Sequence, residues 1–290
     1  MVDKKYLLNS IQMAQFVAKG YLRFDELVPK AINDRIMQDI DAGAVKPAAA
    51  GTPLSQCYLP PSAVGEMIRM PEVAGIIESL VGPDPLFDHQ AVHVREPNED
   101  SAQAMHGDST IDTRLAFDIQ LMYFPHDVTR DMGGTLIVPG SQYRRINEMD
   151  IARYQNFLGQ IQTVCKAGTL LIVHHGIWHC GRQNKSNQKR YMFKVRLNPA
   201  VRQLRLWNTD DLTGEESKPQ ILFDGSHKIP ELQAILNSRE PWFENGDGRL
   251  EVINRIKQWR FLTGDDHFDA YYWLTRLENE PEAVRGGIHF

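Results

Sequence analysis

The pattern His106-Gly107-Asp108 is the part of the sequence whose residue types could bind a metal ion. It ends a strand-like segment, and residues i and i+2 of a strand project to the same face of a sheet. An imidazole and a carboxylate could therefore share one ion. The chain has 10 histidines, so one such pair is expected by chance and a third ligand is needed.

A second apolar, strand-like segment, Gly168 to His179, offers the third ligand. Its candidates are His174, His175 and His179. Periodicity does not choose among them, but the residues that follow do. A hairpin turn is predicted near Asn184 and Lys185. An antiparallel pair with that turn would place His179 opposite Arg190, so that a metal ligand and a guanidinium face one pocket.

Two histidines and one carboxylate on one face leave coordination positions open, which is typical of non-heme iron(II) that binds oxygen and a chelating co-substrate together. The arginine fork suits the far carboxylate of a dicarboxylate. Taken singly, a surface turn pair, a core histidine and a structural salt bridge are the more common explanations of such residues. Their joint occurrence at these spacings favours a site.

Helical elements are predicted on both sides of a strand-rich middle. Asn9 and Gln12 form a capping pair, and Gly20 supplies a stop. The predicted helices are 9–19, one that starts at Pro29, 62–69 and 71–81, with a short strand at 21–24. From about residue 86 the period changes from 3.6 to 2, with strands expected within 87–95, 114–124 and 136–138. After Pro199 the pattern is helical again.

This order of elements predicts a mainly β protein with flanking helices, built on a double-stranded β-helix, a jelly-roll or cupin-like core. We expect one domain with three parts. Residues 1–85 form a helical N-terminal buttress, residues 86–199 the core, and residues 200–290 a helical C-terminal extension.

Composition excludes several classes of function. The 290 residues carry a net charge of -5 without a basic stripe, so nucleic acid is not expected as a partner. Three cysteines without a CxxC pair argue against a disulfide framework or a thiolate zinc site. No signal peptide or apolar segment of about 18 residues is evident, so we expect a cytoplasmic protein without membrane contact.

Two longer motifs resemble those of the phytanoyl-CoA dioxygenase family. Met132 to Gln142, MGGTLIVPGSQ, matches the family's NGxLxxxPGSH element, and His179 to Arg190, HCGRQNKSNQKR, matches HGSGxNxSxxxxR. The Asn, Ser and Arg of the second motif keep their offsets of 5, 7 and 11 from the histidine. With the His-x-Asp pair and the opening segment, the resemblance spans roughly residues 8–199.

The resemblance implies roles for seven residues. His106, Asp108 and His179 would hold iron, and Arg190 would bind the distal carboxylate of 2-oxoglutarate. Three positions match co-substrate contacts or a basic residue in other members; they are Gln103, Thr135 and Arg95. Each of these three also has an ordinary explanation, as a loop residue, a strand threonine or a surface charge.

Three positions depart from the family pattern, so co-substrate contacts that differ in detail are expected there. Met132 replaces the usual Asn, Gln142 the usual His, and Gly181 a residue that often carries a hydroxyl. The carboxylate of Asp108 argues against the halogenating branch, in which a small residue there opens a site for halide.

The function implied is an iron(II)- and 2-oxoglutarate-dependent dioxygenase that uses O2 to hydroxylate or otherwise oxidise a small molecule, releasing succinate and CO2. Residues expected to face the substrate alternate along one strand; they are Asp118, Gln120 and Met122. Two alternatives stay open: a non-catalytic metal- or small-molecule-binding module, and a zinc hydrolase that uses the same three ligands.

The C-terminal extension is rich in aromatic residues, namely Trp259, Phe261, Phe268, Tyr271, Tyr272 and Trp273. It could close the pocket as a lid or form a homodimer interface. Simple packing on the core is the more ordinary explanation.

Overall fold

A computed structural model of the chain describes residues 2–109, 114–144, 156–214, 230–243 and 245–269. Its strands are β1 Tyr21–Phe24, β2 Leu86–Arg95, β3 His106–Gly107, β4 Ile119–Phe124, β5 Thr135–Val138, β6 Ile161–Gln162, β7 Thr169–His174, β8 Trp178–Gly181 and β9 Arg190–Asn198. They form a five-stranded sheet of order β1-β7-β4-β9-β2 and a four-stranded sheet of order β3-β8-β5-β6. Every pairing between these strands is antiparallel.

The helices are α1 Ser10–Lys19, α2 Lys30–Asp41, α3 Ala63–Ile68, α4 Pro71–Val81, α5 Glu231–Leu236 and α6 Asn245–Thr263, with 3-10 turns at Lys4–Tyr6 and Leu54–Gln56. The start of α1 is the predicted capping box of Asn9 and Gln12. Its end is Gly20, whose φ of 77° lies in the left-handed region that glycine adopts without strain. The chain then turns directly into β1.

Strand β4 has a neighbour on each side in the five-stranded sheet and is buried on both faces, so all six of its residues are buried and Gln120 is the one amide among apolar and aromatic side chains. Its outer residues pack in the main core with α1, α2 and α4; Ile119, Leu121 and Tyr123 belong to this set. Its inner residues, Met122 and Phe124 among them, pack in a second cluster toward the interior of the barrel. The sheet therefore separates a helical layer from the interior.

The mainly β fold with flanking helices is confirmed. The N-terminal part also supplies the predicted strand at 21–24, which is β1 and pairs with β7 at the edge of a sheet. One detail of the prediction is wrong. The predicted hairpin that pairs His179 with Arg190 does not form. Strand β8 pairs with β3 and β5, whereas β9 pairs with β2 and β4 in the other sheet.

The C-terminal extension packs on the helical layer. Trp259 is 1% exposed, and its ring lies 5.6 Å from Trp207 and 6.0 Å from Phe268 between centroids. Core packing therefore accounts for these aromatic residues. Tyr271, Tyr272 and Trp273 lie outside the described residues, and the lid and the homodimer stay predictions. Of the helices described, none is long and apolar enough to cross a membrane.

Candidate metal centre and its pocket

Strands β3 and β8 bring the two predicted histidine ligands together. His106 and His179 are register partners, with ring centroids 4.5 Å apart. Asp108 follows two residues after His106. Its carboxylate oxygens lie 3.5 Å from His106 Nε2 and 3.6 Å from His179 Nε2. One ligand atom from each of the three residues falls within 4.8 Å of the others, a spacing that one ion can bridge.

The orientation of both rings is fixed by nearby backbone. His106 Nδ1 lies 2.8 Å from the carbonyl oxygen of Ala104, and His179 Nδ1 lies 3.1 Å from that of Ile177. Because a carbonyl oxygen only accepts, each Nδ1 carries the proton and each Nε2 presents its lone pair toward Asp108. The donor set therefore fits a divalent metal ion.

The other two histidines of the Gly168–His179 segment point elsewhere. His174 packs between the rings of Phe16, Phe117 and Tyr143 in the core. His175 is 1% exposed, and burial, followed by the charge of Arg196, lowers its pKa to about 4. Neither belongs to the group of potential metal ligands among the described residues. The structure thus makes the choice that periodicity could not.

Two side chains from the five-stranded sheet hold the carboxylate of Asp108. The side-chain amide of Gln120 donates to Oδ2, and Lys194 Nζ lies 3.2 Å from the same oxygen. Burial acts to raise the pKa of this carboxyl. The charges of His179 and Lys194 and the Gln120 hydrogen bond outweigh burial and hold the pKa well below its usual range. Asp108 is therefore ionised at neutral pH.

His179 is 4% exposed, and its burial lowers its pKa to about 4 against the opposing effect of Asp108. The ring is therefore neutral near pH 7, which is the state in which an imidazole binds a metal.

Arg190 reaches the pocket from the opposite sheet. It is 5% exposed, and its guanidinium donates to the carbonyl oxygen of Met132. A Cβ at Gly133 would lie 3.1 Å from Arg190 Nη1 and 2.1 Å from the Gln183 carbonyl oxygen, so glycine is required beside this arginine. Burial lowers the pKa of Arg190 to about 10, which leaves it charged at neutral pH. Hence the motif's arginine does face the ligands, although not across a hairpin.

The three weaker co-substrate predictions also lie in this pocket. Arg95 is the register partner of Arg190 and pairs with Glu99. Thr135 is the register partner of Gly181. Gln103 Oε1 accepts a hydrogen bond of 2.8 Å from the amide of Gly181, and a Cβ on that glycine would lie 2.9 Å from the same oxygen. Gln103 thus occupies the space that a larger residue at position 181 would take.

The three residues predicted to face the substrate lie in different places. Met122 lines the pocket. Gln120 contacts Asp108 instead, as a support for a potential metal ligand. Asp118 precedes β4 and forms a buried ion pair with Arg196, outside the residues that line the pocket.

The pocket lies between the two sheets. The residues that line it are His93, Arg95, Gln103, His106, Met122, Thr135, His179, Gly181, Arg190, Met192 and Lys194. Sequence reasoning missed His93, Met192 and Lys194. A signal existed for two of them, because alternation along β9 from Arg190 places Met192 and Lys194 on the same face.

The Asn and Ser of the last motif serve the backbone rather than the pocket. Asn184 Nδ2 donates to the carbonyl oxygens of Glu96 and Gln188 at 3.0 and 2.7 Å. Its Oδ1 accepts from the Ser186 hydroxyl at 2.7 Å. Asn184 and Ser186 therefore fix the loop that delivers Arg190.

A double-stranded β-helix with two histidines, one carboxylate and an arginine in one pocket defines the non-heme iron, 2-oxoglutarate-dependent type of oxygenase. The sequence supports this class directly, since residues 16–192 match the model of the phytanoyl-CoA dioxygenase family. The chain belongs to that family, and the resemblance inferred from its motifs is confirmed. No curated protein shows significant similarity to the sequence.

Solved structures show the same fold. The carbocyclase SnoK from nogalamycin biosynthesis, described as non-heme and alpha ketoglutarate dependent, has a TM-score of 0.54 and 16% identity, over 69% of this chain and 87% of that one. HygX from Streptomyces hygroscopicus has a TM-score of 0.53 and 12% identity, over 67% and 88%. EctD from S. alaskensis, solved with 2-oxoglutarate and 5-hydroxyectoine, has a TM-score of 0.50 and 14% identity, over 65% and 75%.

Proposed function

We propose that the protein is a dioxygenase that oxidises a small molecule, with iron(II) held by His106, Asp108 and His179 and with 2-oxoglutarate as co-substrate. The observation that carries the proposal is the presence of Arg190 in the same pocket as the three potential ligands. A site that only bound a metal would have no use for a buried guanidinium facing open coordination positions.

Each side chain has a task that follows from its contacts. The two imidazoles present their Nε2 atoms toward the ion, and Asp108 adds one negative charge to the ligand set. Arg190 binds the distal carboxylate of 2-oxoglutarate in a buried position, where an ionic hydrogen bond is strong. Bound iron would supply the activation of O2 coupled to decarboxylation of 2-oxoglutarate, which yields succinate, CO2 and an oxidised substrate.

The remaining lining residues shape the co-substrate position. Thr135 and Gln103 flank Gly181 on the same side of the pocket as Arg190. Arg95 adds a second positive charge beside Arg190. Met122 and Met192 supply apolar surface that excludes water from the reacting groups. The identity of the substrate is set by such wall residues, not by the metal ligands.

The decisive test is anaerobic titration of the apo-protein with iron(II) and 2-oxoglutarate, followed by visible absorption. The wild type should develop a weak metal-to-ligand charge-transfer band, and Asp108→Ala should not. Asp34→Ala is the matched control, because Asp34 lies on α2 in an exposed pair with Lys30. If iron binds and no band forms in the wild type, the proposal fails.

Two other functions are outcomes of the same experiment. A zinc hydrolase would bind zinc at the three ligands but would release no succinate and consume no oxygen. A non-catalytic binding module would bind the metal without 2-oxoglutarate turnover under any substrate screen. Consumption of oxygen with release of succinate separates the proposed dioxygenase from both.

A further inference from the structure

The pocket contains more positive charge than the proposed co-substrate needs. Three cations line it, Arg95, Arg190 and Lys194, and among the described residues two carboxylates pair with them, Glu99 with Arg95 and Asp108 with Lys194. Arg95 has its own counter-ion in Glu99. Whether an excess of positive charge remains in the pocket therefore depends on how Arg190 and Lys194 are neutralised.

When the metal ion and 2-oxoglutarate are bound and their charges are paired with those of the protein, Lys194 is left without a counter-charge. A divalent ion is neutralised by Asp108 and by the metal-binding carboxylate of 2-oxoglutarate. The distal carboxylate neutralises Arg190. Lys194 then loses most of the attraction of Asp108, its only ion-pair partner among the described residues, because that negative charge is shared with the metal.

Lys194 is not free to reach solvent instead. Its side chain is only 12% exposed, and a buried ammonium without a counter-ion is costly. Its neighbours on the same face of the sheet cannot neutralise it. Met122, its register partner, is apolar, and burial, followed by the charge of Lys194, lowers the pKa of His93 to about 4, so this ring is uncharged.

Lys194 is also separated from the co-substrate arginine along β9. Arg190 and Lys194 are four residues apart on β9 and project from the same face, which separates their Cα atoms by about 13 Å. A dicarboxylate that binds Arg190 at one end and the metal at the other does not need Lys194. The ammonium therefore faces the part of the pocket that is left for the substrate.

We infer that the substrate carries an acidic group, a carboxylate or a phosphate ester, which binds Lys194 and holds the carbon to be oxidised beside the metal. This inference rests on the proposed function. It makes Lys194 a residue that determines specificity, and it predicts that neutral analogues of the true substrate bind poorly.

The test uses pairs that consist of an acid and a neutral partner. The pairs are hexanoate with hexanamide, benzoate with benzamide, and phenyl phosphate with phenol. Each compound is added to protein that holds Mn(II) and saturating 2-oxoglutarate, and its binding is measured by calorimetry. Saturating 2-oxoglutarate prevents the acids from binding at Arg190. At least one acid should bind at least about tenfold more tightly than its neutral partner.

Lys194→Met should remove that preference, and Lys194→Arg should retain most of it because the charge persists. Lys166→Met is the control, since Lys166 is an exposed lysine that pairs with Asp127. The inference is overturned if neutral partners bind as well as acids, if no acid binds, or if Lys194→Met leaves the preference unchanged.

A purely structural role for Lys194 gives a different result. If the lysine only positions Asp108, Lys194→Met weakens the binding of Mn(II) and 2-oxoglutarate but does not selectively reduce the affinity for acids. That result would also overturn the inference. Failure of the proposed function is seen separately, as the absence of the charge-transfer band in the wild type with iron(II).

Discussion

The two sheets that face the pocket hold their functional side chains in different ways. In the four-stranded sheet, each histidine is fixed by the carbonyl oxygen two residues before it, at Ala104 and Ile177. In the five-stranded sheet, the cations of β9 depend on distant partners. Arg190 contacts a residue 58 positions away in sequence, and Lys194 one 86 positions away. The two histidines are therefore supported locally, and the cations by the fold.

This difference determines how an amino-acid substitution affects the histidines and how it affects the cations. A histidine with a local support keeps its orientation when a distant residue changes, so its weak point is the ring itself. Asp108 is the exception among the potential ligands, because Gln120 and Lys194 hold it from the other sheet. The cationic side depends on long-range pairs, so a change on one strand alters a group on another. The variants below test this contrast from the largest expected effect to the smallest.

His179→Ala should cause the largest loss of metal affinity. It removes a potential ligand, and no other histidine among the described residues can take its place. Metal affinity should fall by more than about 100-fold, beyond the 10- to 100-fold typical of groups that only support a ligand. Titration with Mn(II) followed by magnetic resonance measures this. His89→Ala is the control, with a side chain 46% exposed and paired to Asp88. Tight Mn(II) binding by His179→Ala in a folded protein would contradict the metal assignment.

Arg190→Met should act on the co-substrate alone. Loss of an ionic hydrogen-bonded pair costs about 1.5–3 kcal/mol, so the dissociation constant of 2-oxoglutarate should rise by about 10- to 150-fold. Metal affinity should stay unchanged, because Arg190 does not contact the three ligands. Arg190→Lys should rescue only part of the loss, since an ammonium lacks the planar fork. Full rescue would show that charge suffices and that bidentate geometry does not matter.

The same contrast explains how much could be predicted from the sequence. The capping pair of Asn9 and Gln12 and the stop at Gly20 are local signals, and α1 has those bounds. His106 and Asp108 are also a local pattern. Strand pairing is not local, and the hairpin that placed His179 opposite Arg190 was wrong because β8 and β9 belong to different sheets.

What escaped sequence reasoning was set by distant contacts. Lys194 carries no motif, and its importance comes from its approach to Asp108, which only the fold produces. Gln120 was predicted to face the substrate, since alternation gives the face of a strand but not the partner that a side chain meets there. His179 was chosen first through the predicted hairpin and then through the family motif; the hairpin is wrong, so the motif alone supports that choice.

Gln120→Leu tests the long-range support of a ligand. Leucine fills similar space but cannot donate to Asp108, so the carboxylate keeps only Lys194 as a side-chain partner from that sheet. Mn(II) affinity should fall by about tenfold, the lower end for a supporting group. Gln38→Leu, at an exposed position on α2, is the control. An unchanged Mn(II) affinity would show that local geometry alone positions Asp108.

Gly181→Ser should have the smallest effect, and its coupling to Gln103 is the informative quantity. A side chain at position 181 meets Gln103 Oε1 at 2.9 Å, so the amide must move and gives up its hydrogen bond to the backbone of position 181. One such bond contributes about 1 kcal/mol, so its loss should change 2-oxoglutarate affinity by no more than about fivefold. Gln103→Ala loses the same bond by another route.

The double variant should therefore be no weaker than either single variant, because both substitutions remove one interaction. Calorimetric binding of 2-oxoglutarate to all four proteins closes the cycle. If the effects of Gly181→Ser and Gln103→Ala add, the serine does not displace the glutamine. In that case Gln103 does not stand in for the family's hydroxyl residue, and the missing hydroxyl at Gly181 has to be compensated elsewhere in the pocket.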